Sequence, residues 1–219
     1  MATLVPGCSD DPGSLTGGRD PYGHDYAGDP DGVDDSDPPA SAGPPAPAPP
    51  RDASFGERTL ARARAWIDAK MPYCGGPNGG KDVICGGICE RSGAAERPEW
   101  DDYRSDCSGF VSWAWGLPAP GRTTRTLAPS DTTVSVVISV DDLAEGDALN
   151  GPGHVMLFGG WVDEKAGKAL ILQESRCGTV ASEKIATFEK IDASTLQISD
   201  GRNFKAIRFK KRDDQTASK

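Results

Sequence analysis

The first 53 residues cannot supply a hydrophobic core, and this confines any folded domain to the remainder of the chain. They contain eleven of the eighteen prolines, eight glycines, and ten aspartates against two arginines. Such a segment has too little apolar surface to offset the conformational entropy lost on folding. We therefore predict a disordered, acidic, Pro/Gly-rich tail over residues 1–53, a folded domain over residues 54–212, and a flexible C-terminus over residues 213–219.

The charge of the chain divides at the same boundary. The tail has a net charge of -8 out of the total of -9, so residues 54–219 hold 23 acidic and 22 basic groups. Proteins that bind nucleic acid rely on clustered Lys and Arg. The nearly neutral domain therefore predicts no nucleic-acid partner.

One cysteine stands where a polar loop turns into an apolar helix. Residues 104–115 read RSDCSGFVSWAW, which places Ser105 and Asp106 as capping residues before Cys107. The N–H groups of a helix's first turn and the helix dipole stabilise a thiolate, the nucleophilic form of cysteine. The segment predicts a reactive Cys107; the competing interpretation is a small buried thiol.

A single histidine is available as the base for such a nucleophile. Residues 151–158 read GPGHVMLF, a turn that leads into a strand beginning at His154. The only other histidine, His24, lies in the tail. Because a catalytic thiol is activated by an adjacent base, we predict a Cys107–His154 pair.

The segment around Cys8 has a possible role in membrane attachment. Residues 4–11, LVPGCSDD, resemble the end of a bacterial lipoprotein signal, in which the cysteine receives the lipid. A complete signal needs a charged start and an apolar run of about 7 to 15 residues, so this interpretation places the true start upstream of Met1. The alternative leaves Cys8 as an incidental residue of the tail.

The remaining cysteines form an even set. With Cys107 and Cys8 set aside, four are left, and they predict two disulfide bonds with three possible pairings: Cys74, Cys85, Cys89 and Cys177. A zinc site with four thiolate ligands is the alternative, but only one pair of these cysteines is close in sequence. Ordinary buried thiols are the third interpretation.

Local patterns predict a fold with both helices and strands. Ser54 and Glu57 fit a capping box, followed by a helix that ends at Pro72. Residues 74–104 are predicted to form a long ordered loop. Strands are predicted at residues 132–140, 154–161, 168–175, 180–188 and 203–210. A nucleophile-bearing helix against an antiparallel sheet that carries the base is an α+β arrangement.

Four motifs together resemble one known family. Residues 106–111 (DCSGFV), 143–147 (LAEGD) and 153–155 (GHV), with the earlier Pro72-Tyr73, match the NlpC/p-sixty cysteine peptidases in order and spacing. The resemblance spans roughly residues 56–210. It implies a papain-like fold, with N-terminal and nucleophile-bearing helices packed on an antiparallel sheet, and hydrolysis of peptide bonds in bacterial peptidoglycan stem peptides.

The resemblance also implies the role of individual residues. Cys107 would attack the carbonyl carbon and His154 would transfer the proton. A polar residue on the next strand would orient the imidazole; this is Glu174 or Gln173, which as strand neighbours face opposite ways. Glu174 is preferred, because a small residue follows it as in the family. By the same analogy the substrate cleft is lined by Tyr73, Asp106 and Ser108.

Two rival functions remain open from the sequence. One is an amidase related to the amidohydrolase-peptidase domains, and the other is a non-catalytic binding module at the cell surface. In each case we expect a monomer without a cofactor or a metal. The location is expected to be extracytoplasmic, in the cell envelope or secreted, with a possible membrane tether through lipidated Cys8.

Overall fold

The computed structural model describes residues 53–211, which form three α-helices, two 3-10 turns and seven strands. The helices are α1 Phe55–Asp68, α2 Pro98–Asp101 and α3 Cys107–Trp115, and the 3-10 turns are Gly93–Ala95 and Val140–Asp142. The strands are β1 Ser135–Val137, β2 Ala148–Gly151, β3 His154–Asp163, β4 Lys168–Gln173, β5 Ser182–Asp192, β6 Thr195–Ile198 and β7 Asn203–Phe209. Cys8, the tail to residue 52 and the predicted flexible C-terminus lie outside the described residues.

Six of the strands close into an antiparallel barrel. Strands β2 to β7 are neighbours in sequence order, and β7 pairs with β2 on one edge and with β6 on the other. Lys205 marks the closure, since it lies opposite Asn150 of β2 and opposite Thr195 of β6. β1 pairs with the C-terminal half of β7. It lies on the same edge of β7 as β6, which pairs only with the N-terminal half.

The predicted papain-like α+β fold, with helices packed on an open antiparallel sheet, is therefore wrong. The sheet has no open edge between β2 and β7, because two strands that the sequence analysis did not predict complete the ring. These are β2 and β6, each four residues long. A four-residue strand shows almost no alternation of its own, so its pairing depends on the neighbouring strands.

Strand β3 separates two apolar cores. Val155 and Leu157 face the cluster formed with the helices, whereas Met156 and Phe158 face the interior of the barrel. This alternation follows from the opposite orientation of successive side chains on a strand. α3 packs against the outer face of β3, and α1 packs against α3. The segment that begins with His154 is thus buried on both sides.

The start of α1 is formed as predicted. The amide of Glu57 donates to Ser54 Oγ at 3.2 Å, and the amide of Ser54 donates to Glu57 Oε2 at 2.6 Å, so the capping box is confirmed. The helix ends at Asp68 rather than at Pro72. Its buried Trp66 stacks on Trp113 of α3, with ring centroids 5.9 Å apart, and this fixes the two helices against each other.

Gly109 is required for the close approach of the loop that precedes α3. A Cβ atom at this position would lie 1.9 Å from the carbonyl oxygen of Arg104, which no side chain could tolerate. The chain therefore passes directly over the first turn of α3 before it enters the helix at Cys107. Within residues 53–211, no helix is both long enough and apolar enough to cross a membrane.

Candidate functional site

The first turn of α3 is built around the carboxylate of Asp106. As the N-cap residue, Asp106 accepts hydrogen bonds through Oδ1 from the amides of Ser108 at 2.9 Å and Gly109 at 2.8 Å. Ser108 Oγ donates to the same oxygen at 2.7 Å. These contacts satisfy first-turn donors of the helix and hold Cys107 as its first residue.

Asp106 and Ser108 were both predicted to line a substrate cleft. In the structure both side chains are buried and bonded to each other. Arg104, which the sequence analysis did not single out, joins them: its guanidinium donates to Ser108 Oγ at 3.3 Å and lies 3.5 Å from Asp106 Oδ2. Its place directly before the cysteine motif was the available signal. The observed contacts are structural, and contact with a substrate stays a prediction.

His154 is held by one of the two residues proposed to orient it. Its Nε2 lies 3.0 Å from Oε1 of Gln173, the last residue of β4. An amide oxygen can only accept, so the proton is on Nε2 and Nδ1 keeps its lone pair. Nδ1 is buried and has no hydrogen-bond partner within the described part of the chain. The free imidazole nitrogen is thus the one able to take a proton.

The preference for Glu174 as the orienting residue is not supported by this geometry. Gln173 contacts His154, and Glu174, the next residue along, points the other way as strand neighbours must. Glu174 is fully buried, and neither of its carboxylate oxygens has a hydrogen-bond partner among residues 53–211. The nearby amide of Ala181 donates to the carbonyl of Met71 instead.

The environment of His154 keeps the imidazole neutral. Burial lowers its pKa to about 4, and the nearby cations Arg202 and Lys184 act in the same direction. The hydrogen bond to Gln173 opposes them only in part. At neutral pH His154 is therefore an uncharged group with a proton acceptor at Nδ1.

Cys107 lies on an element that packs against the strand of His154. α3 contacts β3, and Cys107 belongs to the same apolar cluster as Val155, the neighbour of His154. Cys107 has 0% exposure and His154 has 4%. Cys107 is disulfide-bonded in this structure. Its sulfur is therefore not a thiolate here, and a nucleophile at this position requires reduction.

Tyr73 adjoins a group of acidic side chains beneath the start of α3. It is buried, and its pKa is raised by burial and then by the charges of Asp106 and Glu174. The pKa of Glu174 is itself raised well above its usual value, first by burial and then by Asp106. The predicted cleft residue Tyr73 thus lies close to two buried carboxyl groups, and burial raises the pKa of one of them, Glu174.

We expect Glu174→Gln to stabilise the protein at neutral and alkaline pH but not in acid. The pKa of Glu174 is higher in the folded than in the unfolded protein, so ionisation of this side chain destabilises the folded state. This destabilisation is absent below the unfolded pKa of about 4.5 and grows as the pH rises towards the folded-state pKa. A neutral amide avoids this cost, which we put at about 1–3 kcal/mol at pH 8. Urea unfolding of both proteins at pH 4 and pH 8 measures the difference.

Glu183→Gln is the matched control for this substitution. Glu183 is exposed and pairs with Arg64 at 3.4 Å, a contact that contributes little to stability. The control is therefore expected to change the free energy of unfolding by less than about 1 kcal/mol at both pH values. A gain from Glu174→Gln that is equal at pH 4 and pH 8 would contradict the raised pKa of Glu174.

The four cysteines of the predicted even set form two disulfide bonds, as expected. Cys74 pairs with Cys89 and Cys85 pairs with Cys177, each with Cα atoms 5.7 Å apart. The sequence had left the pairing open, and only the fold brings Cys177 to the loop after Tyr73. Disulfide bonds agree with an oxidising compartment and thus with an extracytoplasmic protein.

Asp147, the last residue of the LAEGD motif, has a structural role. It is fully buried and accepts two hydrogen bonds from Arg208, from Nε at 2.9 Å and from Nη2 at 2.7 Å. Its Oδ2 also accepts from the amide of Ala144 at 2.9 Å. The motif therefore fastens the turn before β2 to the end of β7.

Comparisons with models of known protein families, with curated proteins and with solved structures found no match for this chain.

Proposed function

We propose that the domain is a cysteine hydrolase that cleaves peptide or amide bonds of bacterial peptidoglycan stem peptides, once Cys107 is reduced. The contact between His154 and Gln173 is the observation that supports this most. It fixes the tautomer of the imidazole and leaves a buried Nδ1 without a hydrogen-bond partner in residues 53–211. A neutral histidine with one nitrogen held and the other available is the arrangement that a thiol nucleophile needs.

The proposed reaction has two steps. His154 Nδ1 takes the proton of Cys107, the thiolate attacks the carbonyl carbon, and the C–N bond breaks as the amine leaves with that proton. The thioester that results is then attacked by water, whose proton passes to His154. The C–S bond breaks, a carboxylic acid leaves, and the proton returns to the thiol. Gln173 holds the imidazole during both steps.

Reduction of Cys107 must precede this cycle. A dithiol reductant supplies two electrons and two protons to the disulfide, which becomes two thiols, while the reductant becomes a disulfide. The position of Cys107 at the N-terminus of α3 then favours ionisation of the released thiol. The oxidised form is accordingly a latent form of the enzyme.

Peptidoglycan as the substrate follows from the order of the motifs and from the compartment. The DCSGFV, LAEGD and GHV motifs resemble those of the NlpC/p-sixty cysteine peptidases, although the barrel differs from the fold that the resemblance implied. We place the protein in the cell envelope or outside the cell; a lipid tether through Cys8 belongs to the reduced form of the protein, because a lipidated sulfur cannot also form a disulfide bond. Tyr73, Asp106 and Ser108 are the proposed contacts for the stem peptide.

The test is digestion of defined muropeptides by the full chain with and without a dithiol reductant. We expect cleavage by the reduced protein, none by the oxidised protein, and none by Cys107→Ala under either condition. Mass spectrometry of the new amine end separates an endopeptidase from an amidase. The Cys85→Ala/Cys177→Ala protein is the matched control, because it loses a disulfide but keeps Cys107 and His154.

Retained cleavage by Cys107→Ala would exclude Cys107 as the nucleophile. Absence of cleavage by the reduced protein, with its circular dichroism spectrum unchanged, would exclude the hydrolase on these substrates.

A non-catalytic binding module is the second candidate, and the state of Cys107 favours it. The side chain has 0% exposure and is disulfide-bonded, as a purely structural cysteine would be. On this alternative, Cys107→Ala leaves binding of wall fragments unchanged, and reduced Cys107 reacts with iodoacetamide no faster than a free thiol at neutral pH. Faster labelling supports the hydrolase instead.

A further inference from the structure

The loop that follows Tyr73 brings two sulfur atoms and a carboxylate into one buried cluster. Cys74, Asp82 and Cys89 each offer one ligand atom, and these atoms all lie within 4.8 Å of one another. All three residues are buried. This Cys74–Asp82–Cys89 cluster is separate from Cys107 and His154, and the proposed hydrolysis does not use it.

One oxygen of Asp82 holds the loop in shape. Oδ1 accepts hydrogen bonds from the amides of Gly75 at 3.1 Å, Ile84 at 2.9 Å and Cys85 at 2.8 Å. Three backbone donors on one oxygen fix the carboxylate in place. They therefore also fix the direction in which the second oxygen, Oδ2, points. The position of Asp82 is therefore set before any ligand is considered.

The second oxygen of Asp82 points at sulfur without receiving a hydrogen bond. Oδ2 lies 2.9 Å from Sγ of Cys74, which is bonded to Cys89. A disulfide sulfur has no hydrogen, so this contact is not a hydrogen bond. Within residues 53–211, Oδ2 has no other partner, although Asp82 is only 4% exposed. Burying a carboxylate oxygen without a hydrogen-bond partner destabilises the folded protein. This indicates that Oδ2 gains a partner in another form of the cluster.

The rest of the loop has anchors that do not depend on the Cys74–Cys89 bond. Lys81 and Ile88 pair as an antiparallel bridge, and the amide of Cys89 donates to the carbonyl of Gly80 at 2.8 Å. The cluster can therefore stay assembled when its own disulfide opens.

We propose that the Cys74–Asp82–Cys89 cluster is a redox-gated site for a divalent metal ion of the zinc type. A dithiol reductant supplies two electrons; the S–S bond breaks, the sulfurs become thiolates, and the reductant becomes a disulfide with the release of two protons. Two thiolates and Asp82 Oδ2 then bind the ion, and a water molecule takes the fourth position. The result is a tetrahedral set of ligands in which the protein supplies three and water supplies the fourth.

The spacing and the charge of the cluster fit such an ion. Ligand atoms of tetrahedral zinc are about 3.3–3.8 Å apart, as follows from bond lengths of about 2.0–2.3 Å. The three ligand atoms lie within 4.8 Å of one another, and the two sulfurs, which are bonded to each other in this structure, must move apart to this spacing once they are reduced. The metal also neutralises two of the three negative charges and gives Asp82 Oδ2 the partner that the disulfide cannot provide.

The test uses Co²⁺ as the spectroscopic probe in the full chain carrying Cys8→Ala and Cys107→Ala. The protein is reduced with a dithiol, freed of reductant under nitrogen and titrated. We expect one equivalent to bind, with the thiolate-to-cobalt charge-transfer band and the intense visible bands of tetrahedral Co²⁺, both removed by Zn²⁺. The oxidised protein is expected to show none of these bands.

Three variants locate the ion. In the same background, Cys74→Ala/Cys89→Ala is expected to abolish the bands, and Asp82→Asn to weaken binding at least about tenfold while the charge-transfer band remains. Cys85→Ala/Cys177→Ala, the matched control, is expected to keep them. Bands that survive the loss of Cys74 and Cys89 would overturn the proposal.

The experiment is also decisive if reduction unfolds the protein. If the cluster is a metal site, Zn²⁺ must restore the circular dichroism spectrum of the reduced protein, because binding energy becomes folding energy. Absence of both the cobalt bands and this recovery would overturn the proposal. Neither readout depends on hydrolysis, so failure here is distinct from failure of the proposed enzyme.

Discussion

Replacing His154 by alanine is expected to lower the turnover of the reduced protein about 10,000-fold. His154 is the only imidazole within residues 53–211, and its Nδ1, which has no hydrogen-bond partner there, is the proposed acceptor for the thiol proton. Turnover is measured on the muropeptide that the wild type cleaves. Because the base must be unprotonated and its pKa is about 4, activity is expected to fall as pH drops below that value.

Two further substitutions make this result specific. His24→Ala removes the other histidine of the chain and is expected to leave turnover unchanged. Gln173→Ala is expected to have a smaller effect than His154→Ala, together with a shifted acid limb of the pH profile, since Gln173 contacts the imidazole and is proposed to act through it. Full activity of His154→Ala would rule out the proposed mechanism, and an unshifted profile for Gln173→Ala would rule out its positioning role.

Replacing Asp147 by alanine is expected to destabilise the domain by about 3–5 kcal/mol. The substitution leaves the guanidinium of Arg208 without its bidentate partner and removes the acceptor for the amide of Ala144. The side chain of Asp147 has 0% exposure and that of Arg208 has 29%, so water reaches only part of the guanidinium when its partner is removed. The free energy of unfolding from urea denaturation measures the effect.

Asp141→Ala is the comparison for this prediction. Asp141 pairs with Lys190, but its side chain is 73% exposed, so we expect a loss below about 1 kcal/mol. The double substitution Asp147→Ala/Arg208→Ala should cost less than the sum of the two single ones, because each single change leaves one charge of the pair unmatched. Additive costs would show that Asp147 stabilises the fold through other contacts.

Reduction is expected to act on two sulfur centres, and the variants separate them. The proposed hydrolysis depends on Cys107, whereas the proposed metal binding depends on Cys74 and Cys89. The Cys74→Ala/Cys89→Ala protein therefore reports whether the proposed metal site is needed for activity. Cys107→Ala reports whether metal binding occurs without the nucleophile.

Local features of the chain could be predicted from the sequence because they depend on nearby residues. The Ser54–Glu57 capping box and the role of Asp106 as N-cap of α3 both involve residues within three positions of each other. The strand that begins at His154 was likewise predictable from its composition. The even cysteine set correctly indicated two disulfide bonds.

The arrangement of the site was only partly predictable. The alternation of strand β4 required that Gln173 and Glu174 face opposite ways, but not which of them faces His154. The hydrogen bond to Gln173 depends on the register of β4 against β3, which is set by packing on both faces of β3. Burial then decided the charge state of each group, lowering the pKa of His154 and raising that of Glu174.

The sequence by itself determined where α1, α3 and the strands β3, β4 and β7 begin, which residues cap the two helices and which cysteines are available to pair. Only the tertiary structure decided that the strands close into a barrel, that Cys85 reaches Cys177, and that Cys107 is held as a disulfide. The physical reason is the range of the interactions. Caps and alternation act over a few residues, whereas closure through the four-residue strands β2 and β6 is stabilised by partners distant in sequence.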